Sequence, residues 1–285
     1  MNKIKSLPPH VINIMKNKAT EPPFSGEYND FRGKGTYLCR QCGFALFRST
    51  TKFHSACGWP SFDEEVHSHV VYVPDADGLR TEILCARCKG HLGHAFYNEG
   101  FTVKNLRHCV NSLSLDFISA TTILDTEEAI FAGGCFWGVE YFFKKLPGVL
   151  KAEVGYSGGH TEYPSYEAIC KGYSGHKEIV RVIFDPTVIT YEALVKYFFQ
   201  IHDPTQTHGQ GPDIGEQYES FIFYYDEAQK KVAQDVIVQL EKKGYLVATQ
   251  LNEVMTVWCA ESYHQQYYEK NHKQPYCHFF IDRFK

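Results

Sequence analysis

The chain has 285 residues, 44% of them apolar and 22% charged, with a formal net charge of −4. One hydrophobic core rarely grows past roughly 250 residues, so two domains are expected, and the acidic balance favours neither nucleic acid nor an anionic membrane as partner. Ten cysteines are many for a chain that starts without an apolar stretch of signal-peptide length and holds no segment able to span a bilayer. It reads as cytoplasmic, where structural disulfides are disfavoured and metal binding or redox catalysis explains the thiols.

Residues 1 to about 20 read as an N-terminal helix or arm, closed by the turn Thr20-Glu21-Pro22-Pro23-Phe24-Ser25-Gly26. The segments that follow are short and rich in Val, Ile, Thr, Tyr and Phe. Strands are predicted at Thr36 to Leu38, His69 to Val73, Arg80 to Leu84 and Val110 to Ile118, giving a mainly β domain. Two C-x-x-C pairs, Cys39/Cys42 and Cys85/Cys88, each follow a strand and enter a turn. Four thiolates at that spacing fill a tetrahedral shell, so one closed, structural Zn²⁺ is expected. A pair of redox dithiols is the competing reading, but the remaining cysteines already supply that chemistry. On a strand, Arg107, Cys109 and Asn111 share a face, and the Arg107 cation would favour the Cys109 thiolate, a candidate nucleophile. His91 and His94 follow Cys88 closely enough to reach the same site, whereas His54, His67 and His69 read as surface residues.

Ser119 to Glu128 is polar, short and free of Gly and Pro, a tether between two domains. Beyond it strands alternate with helices. Ala129 to Ala132 is a buried strand, and Val139, Phe142, Phe143 and Leu146 recur as a helical stripe that Pro147-Gly148 stops. Cys135 sits between them at a strand-to-helix turn, where unpaired N–H groups favour a thiolate, with Phe136 and Trp137 as an apolar wall. Glu178 to Phe184 and Ser220 to Tyr225 read as strands and Tyr191 to Gln200 as a helix. Asp226 to Lys243 is a helix with Asp226 as cap, Gln229 at the capping-box position and Gly244 as stop. Strand then runs through Val254 to Trp258. The halves share no repeat. The reading is two domains: a mainly-β zinc-binding domain at 1–118, a linker at 119–128 and an α+β two-layer sandwich at 129–285.

The first half also carries a resemblance. The run TEPPFSGEY at 20 to 28, both C-x-x-C pairs, CGWPSF at 57 to 62, HLGHAF at 91 to 96 and RHCVNSLSLDF at 107 to 117 resemble methionine sulfoxide reductase B, over about residues 7 to 118. The resemblance implies Cys109 as nucleophile, Cys57 as resolving cysteine, Trp59 as a wall for the substrate methyl, and His91, His94, Arg107 and Asn111 lining the site. Two positions depart from that family. Tyr97 and Asn98 stand where it commonly has acidic residues, and His108 where it usually has Tyr or Phe.

GCFWGVE at 134 to 140, VGYSGGHTEYPSY at 154 to 166, GHKE at 175 to 178, HDPTQTHGQGPDIGEQY at 202 to 218, YHQQYYEKN at 263 to 271 and PYCH at 275 to 278 resemble methionine sulfoxide reductase A, over about residues 127 to 285. Here the resemblance implies Cys135 as nucleophile, Phe136 and Trp137 around the methyl, and Glu178 as acid. Tyr166 and Tyr218 would bind the sulfoxide oxygen, Asp213 would orient, and Cys277 would resolve. That family often carries two C-terminal cysteines. With Cys277 alone near its end, this chain is expected to resolve in a single step, and Cys170 and Cys259 are expected to be buried or incidental.

A chiral pocket accepts one sulfoxide epimer, so two domains imply two activities; the resemblance implies the R epimer for the first and the S epimer for the second. Oxidised methionine, in proteins or free, is the implied substrate and thioredoxin the implied reductant. A thiol peroxidase or disulfide oxidoreductase, and a zinc-dependent binding module, are the alternatives.

Overall fold

The computed structural model describes residues 5–120 and 123–285. These fall into two compact units, one holding 7–126 and the other 5–6 together with 127–285. No helix among the described residues is long and apolar enough to cross a membrane.

The first unit opens with helix α1 (Pro9–Met15), whose Val11, Ile14 and Met15 are buried. It continues through β1 (Thr36–Cys39), β2 (Ala45–Arg48), β3 (Lys52–Phe53), β4 (Ser61–Phe62), β5 (Val70–Pro74), β6 (Thr81–Cys85), β7 (His91–Tyr97), β8 (Leu106–Val110) and β9 (Leu115–Ile118). Two antiparallel sheets result, in the orders β2-β1-β9 and β3-β4-β8-β7-β6-β5. Tyr37, Phe47, Phe62, Ile83, Leu92 and Val110, all fully buried, fill the core between them. The predicted strand over Val110 to Ile118 is in fact two. A 3₁₀ turn at Ser112–Ser114, closed by Ser114 N–H donating to the Asn111 carbonyl, hands the chain from one sheet to the other. The sequence reading also missed β7, whose two histidines and glycine hide its alternation.

Local backbone chemistry shapes both cysteine pairs alike. Cys39 ends β1, Gly43 N–H returns to its carbonyl at 2.8 Å, and Gly43 has φ +66°. Cys85 ends β6, and Lys89 N–H returns to its carbonyl at 2.9 Å with φ +61°. Each turn folds the second cysteine back beside the first.

The second unit contains β10 (Glu127–Ala132), α2 (Phe136–Phe143), β11 (Val149–Ser157), α3 (Tyr166–Cys170), β12 (Lys177–Phe184) and α4 (Tyr191–Ile201). The hairpin β13 (Gly209–Gln210) and β14 (Asp213–Ile214), then β15 (Phe221–Tyr224), α5 (Glu227–Lys242), β16 (Gln250–Glu253), β17 (Trp258–Cys259) and α6 (Tyr267–Lys270) complete it. Its sheet runs β16-β15-β10-β12-β11-β17 and is antiparallel except for the β15–β16 pair. Phe131, Val180, Val182 and Phe184 on one face meet Phe136, Val139 and Phe143 of α2, Leu194 and Phe198 of α4, and Val236 and Leu240 of α5. Asp226 caps α5 as expected, accepting from Gln229 N–H at 2.8 Å. The strand expected over Val254 to Trp258 is displaced: pairing occurs on either side, while Val254 and Val257 plug the sheet's second face beside Ile179 and Phe223. Of the expected linker, Glu127 and Glu128 begin β10, Thr126 is held by the Gly43 carbonyl, and 121 and 122 lie outside the described residues.

Candidate functional site

In the first unit Cys109 lies on β8, directly across from Ser61 of β4 on one side and His94 of β7 on the other. Cross-strand partners share a face, so the pleat alone brings Ser61 and His94 to the sulfur. Cys57, in the loop before β4, reaches the same place: its Sγ is 3.8 Å from that of Cys109. Cys57 also accepts from Ser55 Oγ at 3.0 Å and lies 3.6 Å from Ser61 Oγ. The bond from Cys109, followed by those serines, pulls Cys57 down to about 4. Cys109 is pushed up, first by its hydrogen bond to Cys57 and then by burial. Arg107 acts on Cys109 in the direction anticipated from sequence, against the neighbouring sulfur and burial.

Arg107 itself is pinned by Glu99, with Nε and Nη2 donating at 2.7 and 2.9 Å, over the Phe96 ring at 4.4 Å. Glu99 was not foreseen. The acidic partner that seemed absent at Tyr97 and Asn98 stands one residue later, where Asn98 turns the chain at φ +61°. Glu99→Ala is expected to lower kcat/KM for the R epimer about fivefold, on the order of 1 kcal/mol for a half-exposed ion pair, and to leave S-epimer turnover unchanged. Steady-state rates on separated epimers check this.

His94 Nε2 bonds to Asp75 at 2.8 Å, and buried His91 Nδ1 bonds to Glu82 at 2.7 Å, with Lys18 on the second Glu82 oxygen at 2.8 Å. His91 Nε2 is buried with no partner. Asn111 braces the backbone: its amide accepts from Glu21 N–H at 3.0 Å and donates to the Leu92 carbonyl at 3.1 Å. Glu21 is a hub, since its carbonyl also accepts from the Trp59 indole at 3.1 Å and its carboxylate caps the N–H groups of Ser112 and Leu113. Trp59 is thereby fixed beside Cys57. His108 points to the opposite face from Cys109, bonded to Tyr72 and the Phe62 carbonyl, so the departure there does not touch the sulfur. Of the histidines read as surface residues, His54 and His67 are exposed and His69 stacks on Phe44.

The four sulfurs of Cys39, Cys42, Cys85 and Cys88 lie within 4.8 Å of one another, with Cys39–Cys88 and Cys42–Cys85 both at 3.6 Å. A tetrahedron of zinc–sulfur bonds of about 2.3 Å has edges of about 3.8 Å, so the cluster has the dimensions to hold a metal ion.

In the second unit Cys135 is the residue before α2. Period two puts Glu178 on the face of β12 that carries Val180 and Val182, beneath α2, where its carboxyl accepts Phe136 N–H at 3.0 Å. Burial pushes Glu178 up to about 8, so at neutral pH it holds a proton. Cys277 interacts with Cys135, which lowers Cys277 to about 6 and, with burial, raises Cys135. At Cys135 a neighbouring sulfur and burial oppose the backbone N–H groups that a helix start supplies.

Trp137 stacks on Tyr267 at 3.6 Å, and its indole donates to His264 Nδ1 at 3.1 Å. His264 was not anticipated either. Its rings contact Phe136 and Tyr166, and the indole fixes its tautomer, leaving a buried Nε2–H without a partner. Glu261 accepts from Tyr156 and from Tyr166 N–H, setting the start of α3. Burial raises both Tyr166 and Tyr218, keeping them as O–H donors. Asp213 accepts from Tyr276 at 3.1 Å and has its other oxygen buried and unpaired. Cys170 and Cys259 are both exposed, not buried.

A profile of the family described as peptide methionine sulfoxide reductase matches residues 127–285. The chain belongs to that family. A SelR domain, the B-type reductase, matches 7–119, so this methionine sulfoxide reductase places its B-type domain first and its A-type domain second. The A-type domain acts on the S epimer and the B-type domain on the R epimer. Among similar proteins, the peptide methionine sulfoxide reductase MsrA of Methanosarcina acetivorans is 50% identical over 147 residues, covering 50% of this chain and 78% of that protein. The MsrA of Acinetobacter baumannii strain AYE is 46% identical over 155 residues, covering 54% and 90%. The crystal structure of reduced Mxr1 from Saccharomyces cerevisiae aligns with a TM-score of 0.51 at 34% identity, covering 54% of this chain and 92% of that one.

Proposed function

We propose that Cys109 and Cys135 are the two nucleophiles and that Cys57 and Cys277 resolve them. The observation that supports this most directly is the pairing of sulfurs: Cys57 lies 3.8 Å from Cys109 and Cys277 interacts with Cys135, each pair near a Trp in a site with proton donors. A sulfoxide is polar at oxygen and apolar at methyl. Rings suit one end and O–H or N–H donors the other. In the second unit Phe136 and Trp137 take the methyl, Tyr166 and Tyr218 donate to the oxygen, Asp213 orients, and Glu178 supplies the proton. In the first, Trp59 takes the methyl while Arg107, His91 and His94 serve the oxygen end; Asn111 supports the site through the backbone it braces. The nucleophile attacks sulfur, methionine leaves, and a sulfenic acid remains; the resolving cysteine condenses with it, releasing water. The disulfide returns to dithiol through an external dithiol protein, thioredoxin.

The same reading assigns Cys39, Cys42, Cys85 and Cys88 to one Zn²⁺, whose role is structural because four thiolates leave no open position. It also places the protein in the cytoplasm.

Separated epimers test the assignment. Cys109→Ser is expected to abolish R-epimer reduction and spare the S epimer, and Cys135→Ser the reverse; the opposite pattern would sink the domain roles. Cys57→Ser should release one methionine per site from the R epimer yet fail to recycle with thioredoxin, and sustained turnover there removes Cys57 from its role.

A further inference from the structure

We infer that His278 is the base of the resolving step in the A-type domain, taking the proton of Cys277 as that sulfur attacks oxidised Cys135. The inference rests on Cys277 being the resolving cysteine and adds the residue that activates it.

The geometry fixes the direction of proton flow. His278 Nε2 lies 2.7 Å from the Gly133 carbonyl, which can only accept, so Nε2 carries a proton in either charge state. In neutral His278 the other nitrogen, Nδ1, is then a bare lone pair. It lies 3.1 Å from Cys277 Sγ. The Cys277 thiol therefore donates to a base already in place, and the ring cannot turn over without losing its bond to Gly133. His278 is 1% exposed and Cys277 is 7% exposed, so water is a poor competitor for that proton. The ring's place is reserved by sequence: a Cβ on Gly138 would lie 2.2 Å from Nδ1, and one on Gly134 3.4 Å from the ring. Gly133, which anchors the base, stands two residues before the nucleophile, so the same turn that presents Cys135 also sets the base for its partner.

The step balances as follows. Cys135 enters as a sulfenic acid. The Cys277 proton moves to His278 Nδ1, the thiolate attacks Cys135 Sγ, the S–S bond forms and the S–O bond breaks. Cys277 sulfur is oxidised and Cys135 sulfur reduced, and the departing hydroxide leaves as water on receiving the proton that Nδ1 held. Cys277 is lowered first by the neighbouring Cys135, and His278 acts in the same direction. The other titratable groups facing these two residues are Cys135, Glu178, Asp213, Tyr268 and Tyr276 against Cys277, and His202 against His278.

His278→Gln tests this in the full chain, because an amide can keep the bond to Gly133 but cannot take a proton. After rapid mixing with one equivalent of S-epimer, methionine release and loss of free thiols are timed separately. At pH 6 to 7 the variant should slow disulfide formation at least tenfold more than it slows methionine release. The deficit should shrink toward pH 9 to 10, where Cys277, no longer lowered by a reduced Cys135, ionises without help. A purely structural role would slow both steps together with no rescue at high pH, and would overturn the inference. So would disulfide formation at the wild-type rate throughout. Should the variant not fold, imidazole nitrogen NMR of the unsubstituted, reduced protein decides: a proton on Nδ1 of neutral His278, with Nε2 bare, sinks the proposal. Cys277→Ser separates the two levels. If it still recycles with thioredoxin, the resolving assignment itself fails; if it stalls as the sulfenic acid, that assignment stands whatever His278 does.

Discussion

Replacing Cys85 by Ser is expected to abolish R-epimer reduction and unfold the first unit while the S-epimer activity survives. Four buried or half-buried sulfurs occupy the ends of β1 and β6 and the turns after them, and the core packs directly on Cys39, Cys42 and Cys85. A structural four-thiolate zinc site is worth about 10–16 kcal/mol, comparable with or larger than the roughly 5–15 kcal/mol stability of a whole domain. Removing one ligand should therefore remove more than this unit can spare. The second unit holds its own core of Phe131, Val180, Phe184 and Phe198 and contains none of these four cysteines. Metal analysis, circular dichroism and epimer-resolved rates check this together. Wild-type protein should carry about one zinc per chain, and the variant should lose zinc and R-epimer activity in parallel. A folded, fully active variant without zinc would show the cluster to be dispensable.

Glu178→Gln should make the protein more stable and the A-type site nearly inactive. The Glu178 carboxyl has an ordinary value of 4.5 and is pushed up to about 8 by burial. At pH 7 the unfolded chain ionises it and the folded one keeps it protonated, so the folded state binds the extra proton. Stability is then highest below pH 4.5 and falls as pH rises toward 8; by linkage the cost at pH 7 is about 3 kcal/mol. Glutamine keeps the acceptor for Phe136 N–H and removes the titration, so denaturant unfolding at pH 7 should show a gain of that order, shrinking toward pH 5. Losing the acid should cost the S-epimer first step about 10²–10⁴-fold. In the unsubstituted enzyme the same step should decline tenfold per pH unit above about 8, as Glu178 gives up its proton. A variant equally active at pH 7 would remove Glu178 from proton transfer.

What could be read from the sequence was what lies close along the chain. The C-x-x-C knuckles repeat the same backbone return, Asp226 caps α5 through a bond to the residue three positions on, and Glu178 lies on β12, a strand that its apolar run announces. The residues that escaped notice act through distant partners. Glu99 becomes an acid for Arg107 only because Asn98 turns the chain, and His264 finds Trp137 across 127 positions. The setting of Cys109 and Cys135 was only half visible for the same reason. Arg107 and the helix start are visible along the chain, but the second sulfur arrives from 52 residues away in one unit and from the C-terminal segment in the other. Asn111 was expected to share the face of Cys109 along one strand, but β8 ends at Val110 and its amide is spent on Glu21 and Leu92, which no strand alternation reveals.

Glu21 has a consequence for the order in which the B-type domain is made. Through its N–H, its carbonyl and its carboxylate it ties together Asn111, Trp59, Ser112 and Leu113, up to 92 positions further on. A chain emerging from the ribosome at about 5–20 residues per second makes Glu21 seconds before the partners that complete this clamp. Trp59 and Cys57 can gather early, but Cys109 and the turn beyond it must arrive before the pocket closes. The early segment thus waits for the late one. During that interval Cys57 has no Cys109 beside it, and the reactive pair first exists in a domain that is almost finished.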